Sequence, residues 1–307
     1  MSALTMSPES IIQVLMKGAV PERANEIDAF WGRYHPQVIV VGNRSGITLN
    51  ATQDRIEFDP KTVDVFWLIG FSGWRAIECY SPHVILSAAC GRTLQELFDD
   101  DGELPEVERA YKERLATARN LIEQRDADAA PWPDDLPRPV TDRDALDGDQ
   151  HRTAFDLVLI ALAFAFFHEF RHVMLDFDKA RPGERREEEL QCDVWAREFI
   201  IAKLEAYARN HKHDYHEVLR KRSMGLALAA LILHEITPKD GINLHYFSIK
   251  TRLTTLLAET KLPDNDHFWR FVAALLVGIF RREHHAFAPP PMAARQLADY
   301  LLVLLPD

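Results

Sequence analysis

The eleven residues Leu157–Phe167, LVLIALAFAFF, contain no polar side chain, and the chain from Phe155 to Asp178 holds neither proline nor glycine. Most of the stretch consists of strong helix formers, so a helix is expected. A helix that is apolar on every side needs protein or lipid all round it. A membrane span takes about 20 apolar residues, and this run ends well short of that. The fold must therefore be built around this segment as its core helix.

The same helix continues into HEFRH, His168 to His172. Two histidines four positions apart share one helix face, about one turn from each other. A tetrahedral metal ion can take one nitrogen from each, and Glu169 then lies beside any water that the ion holds. A second helical stretch, RREEELQCDVWAREFIIAKLEAYARN, starts at Arg185. Glu189 and Asp193 are four apart, and Ala196 and Ile200 continue their stripe into the interior. A carboxylate pair heading an apolar stripe fits a third metal ligand, Glu189, with Asp193 bonding the outer nitrogen of a ligand histidine. Glu187 reads as the favoured acidic first turn of a helix. Glu188 competes with Glu189 for the metal, since it heads its own stripe through Cys192, Trp195 and Phe199. The partner at Asp193 favours Glu189.

HEFRH followed 17 residues later by ELQCDVWA resembles the gluzincin class of zinc metallopeptidases. The shared local pattern is carried by Glu189, Cys192, Asp193, Trp195 and Ala196, with Cys192 where alanine is more usual. The resemblance implies zinc held by His168, His172 and Glu189, Glu169 as general base, and Asp193 supporting a ligand histidine. It also implies a later histidine or tyrosine stabilising the tetrahedral intermediate, for which His245 and Tyr246 are best placed. A turn histidine capping the following helix is the plainer account of His245. In length and layout the chain further resembles the phage-exclusion peptidases of the Lit type. That likeness implies defence against phage by cutting a host translation factor after a phage-derived trigger.

The chain has 307 residues, 47% of them hydrophobic, enough for one large core or two modest ones. A formal net charge of −11 with no basic stripe argues against a nucleic-acid partner. Cys79, Cys90 and Cys192 form no close-spaced pair, which points to a reducing compartment. No basic segment followed by an apolar one opens the chain, so a cytoplasmic protein without a membrane partner is expected.

The fold class expected is α+β and predominantly helical: a small N-terminal antiparallel sheet, then a zincin-like helical core carrying HExxH. Residues 1–125 form the N-terminal region, 126–150 a Pro/Asp-rich loop or linker, and 151–307 the helical metallopeptidase region, the whole expected as one compact catalytic unit. Ser7 and Pro8 look like the cap and first turn of a helix through Ile11 to Met16. QVIVVGNRSGITLNATQDRIEFD reads as three strands in an antiparallel meander, with turns at Asn43–Gly46 and Ala51–Asp54. In peptidases of the type resembled, an edge strand upstream of the motif helix binds extended substrate; a sheet that only covers the core fits the sequence equally. TVDVFWLIGFSGWRAIECY and SPHVILSAAC read as apolar helices interrupted near Gly70 and Gly73, and Pro105–Gln124 as an amphipathic one. The 126–150 segment is a solvated connection or a flap over the cleft anchored by Trp132.

The other histidines read as ordinary. His211, His213 and His216 lie at a polar helix end, Pro238 spoils the motif that His234–Glu235 begins, and His284 and His285 follow a basic helix end. Two function classes remain. One is a zinc endopeptidase acting on a cytoplasmic protein or peptide. The other is a regulatory gluzincin-like protein that cuts or binds a transcriptional repressor, or a non-catalytic zinc-stabilised binding module. A structural zinc site closes with four protein ligands, and only three candidates are found, which favours catalysis.

Overall fold

The computed structural model describes residues 7–42, 45–124, 131–237, 247–258, 260–283 and 288–306. The apolar run occupies the middle of α6, Gly148–Phe177, where Ile160 to Phe167 are all at most 4% exposed. By length and composition α6 could cross a membrane, but 72% of its most apolar window is buried inside the protein.

Around α6 pack α1 (Pro8–Ala19), α3 (Lys61–Cys90), α7 (Arg185–Ile201) and α9 (Tyr215–Ile236). Between and outside them lie α2 (Ala24–Tyr34), α4 (Leu94–Asp100), α5 (Leu104–Glu123) and α8 (Leu204–His211). Further along the chain come α10 (Ile249–Leu257), α11 (His267–Arg282) and α12 (Ala294–Leu304). The expectation of a predominantly helical chain with a small sheet holds. Ser7 caps α1 by accepting from the Ser10 amide, with Pro8 in the first turn.

Two helix boundaries differ from expectation. Gly70 and Gly73 do not interrupt α3, which runs unbroken through both. They are there for packing: a Cβ on Gly70 would stand 2.2 Å from Val158 Cγ2, and one on Gly73 2.8 Å from Leu228 Cδ1. On the opposite flank, a Cβ on Gly225 of α9 would meet Ile160 Cγ2 at 2.5 Å. Missing side chains on two neighbours thus let α6 approach both closely. The expected helix from Arg185 to Asn210 is two helices, α7 and α8, because Lys203 takes a left-handed φ of 65° and breaks it.

The sheet is also a correction. Its strands β1 (Gln37–Val40), β2 (Leu49–Thr52) and β3 (Arg55–Phe58) are those expected, but their order is β1-β3-β2, with β1–β3 parallel and β2–β3 antiparallel. Only β2 and β3 form a tight hairpin, closed by Gln53 and Asp54 with Gln53 at φ 52°. The connection from β1 to β2 is long enough to carry the chain past the sheet. β3, whose Ile56 and Phe58 are buried, then takes the centre. A last strand placed between two opposed ones must run parallel to the first. β2 is left as an edge lying along α6.

The described part of the Pro/Asp-rich segment runs along α3 and α5. Trp67 donates its indole N–H to the Pro137 carbonyl at 2.8 Å, and Arg114 pairs with Asp135. Trp132 is covered by the Arg138 guanidinium at 4.5 Å and lies in a cavity walled by α5. Among the described residues of this segment, none lines the cleft beside His168.

Candidate metal centre

His168 and His172 project from one face of α6, as the four-residue spacing requires. α7 packs against that face and places Glu189 opposite both rings, with Cys192, Ala196 and Ile200 buried behind it. His168 Nε2 lies 3.2 Å from His172 Nε2 and 3.2 Å from Glu189 Oε2, while His172 Nε2 lies 3.6 Å from Glu189 Oε1. A tetrahedral ion with bonds of about 2.0–2.1 Å separates its donors by about 3.3–3.4 Å. The three donors are therefore spaced to bind one metal ion, and two imidazoles with a carboxylate are compatible with zinc. Among the described residues no fourth side chain joins this group.

The remaining nitrogens are tied down. His168 donates from Nδ1 to Asp193 Oδ1 at 2.8 Å, and His172 from Nδ1 to Glu188 Oε1 at 2.6 Å. Both rings thus turn their Nε2 atoms to the shared point, the tautomer a metal ligand needs. Asp193 is 0% exposed, and its second oxygen accepts from Arg252 Nε at 3.0 Å. Arg252 stands in the second turn of α10, whose start is capped by the Ser248 hydroxyl. Arg181 and Arg185 approach Glu188 and Glu189 at 3.7 Å and 3.5 Å. Glu188, weighed in the sequence as a rival ligand, stands instead behind His172.

The electrostatics follow from this packing. Burial disfavours a charged His168, yet its bonds to Asp193 and Glu189 outweigh that and lift it to about 10. Burial would raise the Asp193 carboxyl, but Arg252 and His168 hold it down at about 2. Glu189 is likewise kept below the usual carboxylate range against its burial, by His168, His172 and Arg185. His172 moves the other way, pushed down by burial and by the charge on His168. A proton on His168 thus sits between two carboxylates, in the place a cation would take.

Glu169 stands at the wall of a cleft of about 260 Å³, where burial lifts its carboxyl to about 7 against the opposing pull of the charge on His168. The opposite walls are apolar: Ile47 and Leu49 from the sheet region, Ile122 at the end of α5, Phe164 one turn before His168, and Leu233 and Ile236 from α9. Arg252 lines the same cleft. A second cavity of about 240 Å³, near Gly18, Tyr207 and Lys221, lies towards the other end of α6.

His168, Glu169, His172, Glu189 and Asp193 are brought together. His245 and Tyr246 lie outside the described residues. The supporting roles of Glu188, a rival ligand by its sequence position, and of Arg252 emerge only in the structure. A polar residue beside the presumed ligand was a usable signal for Glu188, whereas nothing local marks Arg252. His211, His213 and His216 are exposed, and His234 bonds Glu283 at 3.1 Å.

The family model for Peptidase U49 matches residues 56–272, more than half of the chain, and the chain belongs to that family. It is a peptidase family, and its members act on proteins or peptides. The matched region runs from β3 to α11 and contains every described residue of the metal centre. No curated protein and no solved structure matches the chain.

Proposed function

We propose that this protein is a zinc-dependent endopeptidase of the gluzincin kind, with His168, His172 and Glu189 as ligands and Glu169 as general base. The observation that carries the reading is the trio of donors at 3.2–3.6 Å, with both histidine Nδ1 atoms already engaged by carboxylates. A zinc ion held there supplies Lewis acidity to an attacking water and to the peptide carbonyl.

The protein's own groups do the rest. Glu169, with a carboxyl lifted to about 7, takes a proton from the water and delivers it to the leaving amine. Asp193 and Glu188 keep the two rings turned inward, and Arg252 pairs with the buried Asp193. β2 offers an edge to an extended peptide, and the apolar walls accommodate a large apolar side chain near the cut bond.

The Lit-type resemblance falls within the U49 family and supports a role in phage defence, with a host translation factor as substrate and a phage-derived trigger. Cytoplasmic residence is supported by the free state of Cys79, Cys90 and Cys192. The acidic charge supports a protein rather than a nucleic-acid partner.

The decisive experiment measures metal content and hydrolysis together. Wild type is expected to hold one zinc per chain, and Glu169→Gln to keep it while losing about 10²–10⁴-fold in turnover. A metal-free wild type, or full activity in the variant, would sink the reading.

A further inference from the structure

Lysine is among the residues least often buried, yet Lys61, in the first turn of α3, is only 2% exposed. Its ammonium reaches the C-terminal end of α5, donating to the Ile122 carbonyl at 3.1 Å and to the Gln124 carbonyl at 2.7 Å. The last carbonyls of a helix find no partner within it and carry partial negative charge, so a cation is well placed there. The Ile122 carbonyl also accepts from the Gly46 amide at 2.8 Å. One residue on from Lys61, the Thr62 hydroxyl donates to the Thr48 carbonyl at 3.2 Å, which also takes the Asp59 amide at 2.8 Å. The start of α3 thus grips the end of α5 with one residue and the approach to β2 with the next. The side chains carried by these held segments, Ile47, Leu49 and Ile122, line the cleft together with Glu169.

We infer that Lys61 is a positioning residue whose ammonium sets the width of the cleft, and with it the size of the apolar side chain that a substrate presents beside the cut bond. The substrate part rests on the peptidase reading above; the grip on the rim does not. A buried methylene chain would serve for packing, whereas an ammonium in the same place needs partners to offset its lost hydration. Here those partners are the backbone of a cleft wall. Phe164, Leu233 and Ile236 line the cleft from the long helices α6 and α9. Ile122 stands at a helix end, where helices fray. Removing the ammonium takes a donor from two carbonyls there, lets the last turn of α5 loosen and moves Ile122 away from Gly46.

Amide hydrogen exchange on the full chain reads the grip without any substrate. Lys61→Met keeps the stem and removes the donors. The Gly46 amide should then exchange about tenfold faster, with the α6 amides from Ala161 to Phe166 unchanged. Should that variant not fold, Lys61→Gln, which keeps N–H donors without the charge, gives the same reading at smaller amplitude. Unaltered Gly46 exchange in the folded variant overturns the inference.

Two quenched fluorescent peptides, alike except for phenylalanine or alanine beside the bond that the wild type cuts, read the consequence. Wild type should prefer phenylalanine by kcat/KM, and Lys61→Met should lower that preference about tenfold. In Ile122→Ala, where the wall is already cut back, adding Lys61→Met should change the preference less than about twofold. An equal fall for both peptides, or full additivity of the two substitutions, overturns the specificity role. If the wild type hydrolyses neither peptide, the peptidase reading has failed, while Gly46 exchange still decides whether Lys61 holds the rim.

Discussion

In the apolar half of α6, Val158 and Ile160 fill gaps left by Gly70 and Gly225, and no polar group from Leu157 to Phe167 needs a partner from a side chain. Two turns further, His168 and His172 are just as buried, at 7% each, yet every ring nitrogen faces a polar neighbour. The first half is held by shape, where a single added methyl is felt. The second is held by paired charge, where deleting one partner strands another in a medium that solvates it poorly. One helix thus has a stretch that fixes position and a stretch that fixes chemistry, and substitutions should separate the two.

The largest effect is expected from Asp193→Ala. It frees His168 Nδ1 and leaves the buried Arg252 without its carboxylate, at a cost of about 3–5 kcal/mol. Zinc affinity should also fall by about 10–100-fold. Zinc titration beside a denaturation curve reads both, and retention of both would place the polar half on the same footing as the apolar one. Next comes Gly225→Ala, where the new Cβ would meet Ile160 at 2.5 Å. Overpacking of this kind costs about 1–3 kcal/mol, so the melting temperature should drop while the folded protein still takes one zinc per chain. A loss of zinc stoichiometry without a loss of stability would contradict the division.

Glu188→Gln should do less than either. The amide oxygen still accepts from His172 Nδ1, so affinity for zinc should fall toward the lower end of the range, about tenfold. Equal losses for Glu188→Gln and Asp193→Ala would show that Arg252 adds nothing. The smallest signal is the proton. With its pKa at about 10, His168 is charged at neutral pH when no metal is bound, and a ligand must be neutral. Zinc binding at pH 7 should therefore release about one proton from this ring, and zinc affinity should rise with pH until it flattens above about 10. Calorimetry in buffers of differing ionisation enthalpy measures this, and zero release from His168 at pH 7 would contradict its pairing.

Much of this was readable from the residues, and the rest had physical reasons to be hidden. The i, i+4 spacing of His168 and His172 and of Glu189 and Asp193 survives translation into structure because both pairs lie within single helices. The strands were legible from their composition, but their order was not. Pairing partners depend on which strand is buried most, and β3 won the centre through Ile56 and Phe58. Gly70 and Gly73 look like interruptions because a sequence shows what glycine permits and not what stands next to it. The break at Lys203 carries no glycine to announce it. Arg252 is 59 residues from Asp193, and no period connects them.

That distance has a consequence for the order of events at synthesis. The histidine pair and both carboxylates have left the ribosome long before Arg252 does, and until α10 docks, Asp193 stands in the interior with no guanidinium beside it. A growing chain therefore lacks the finished cation pocket. The pocket is finished only after residue 252 has been made and α10 has docked against α7.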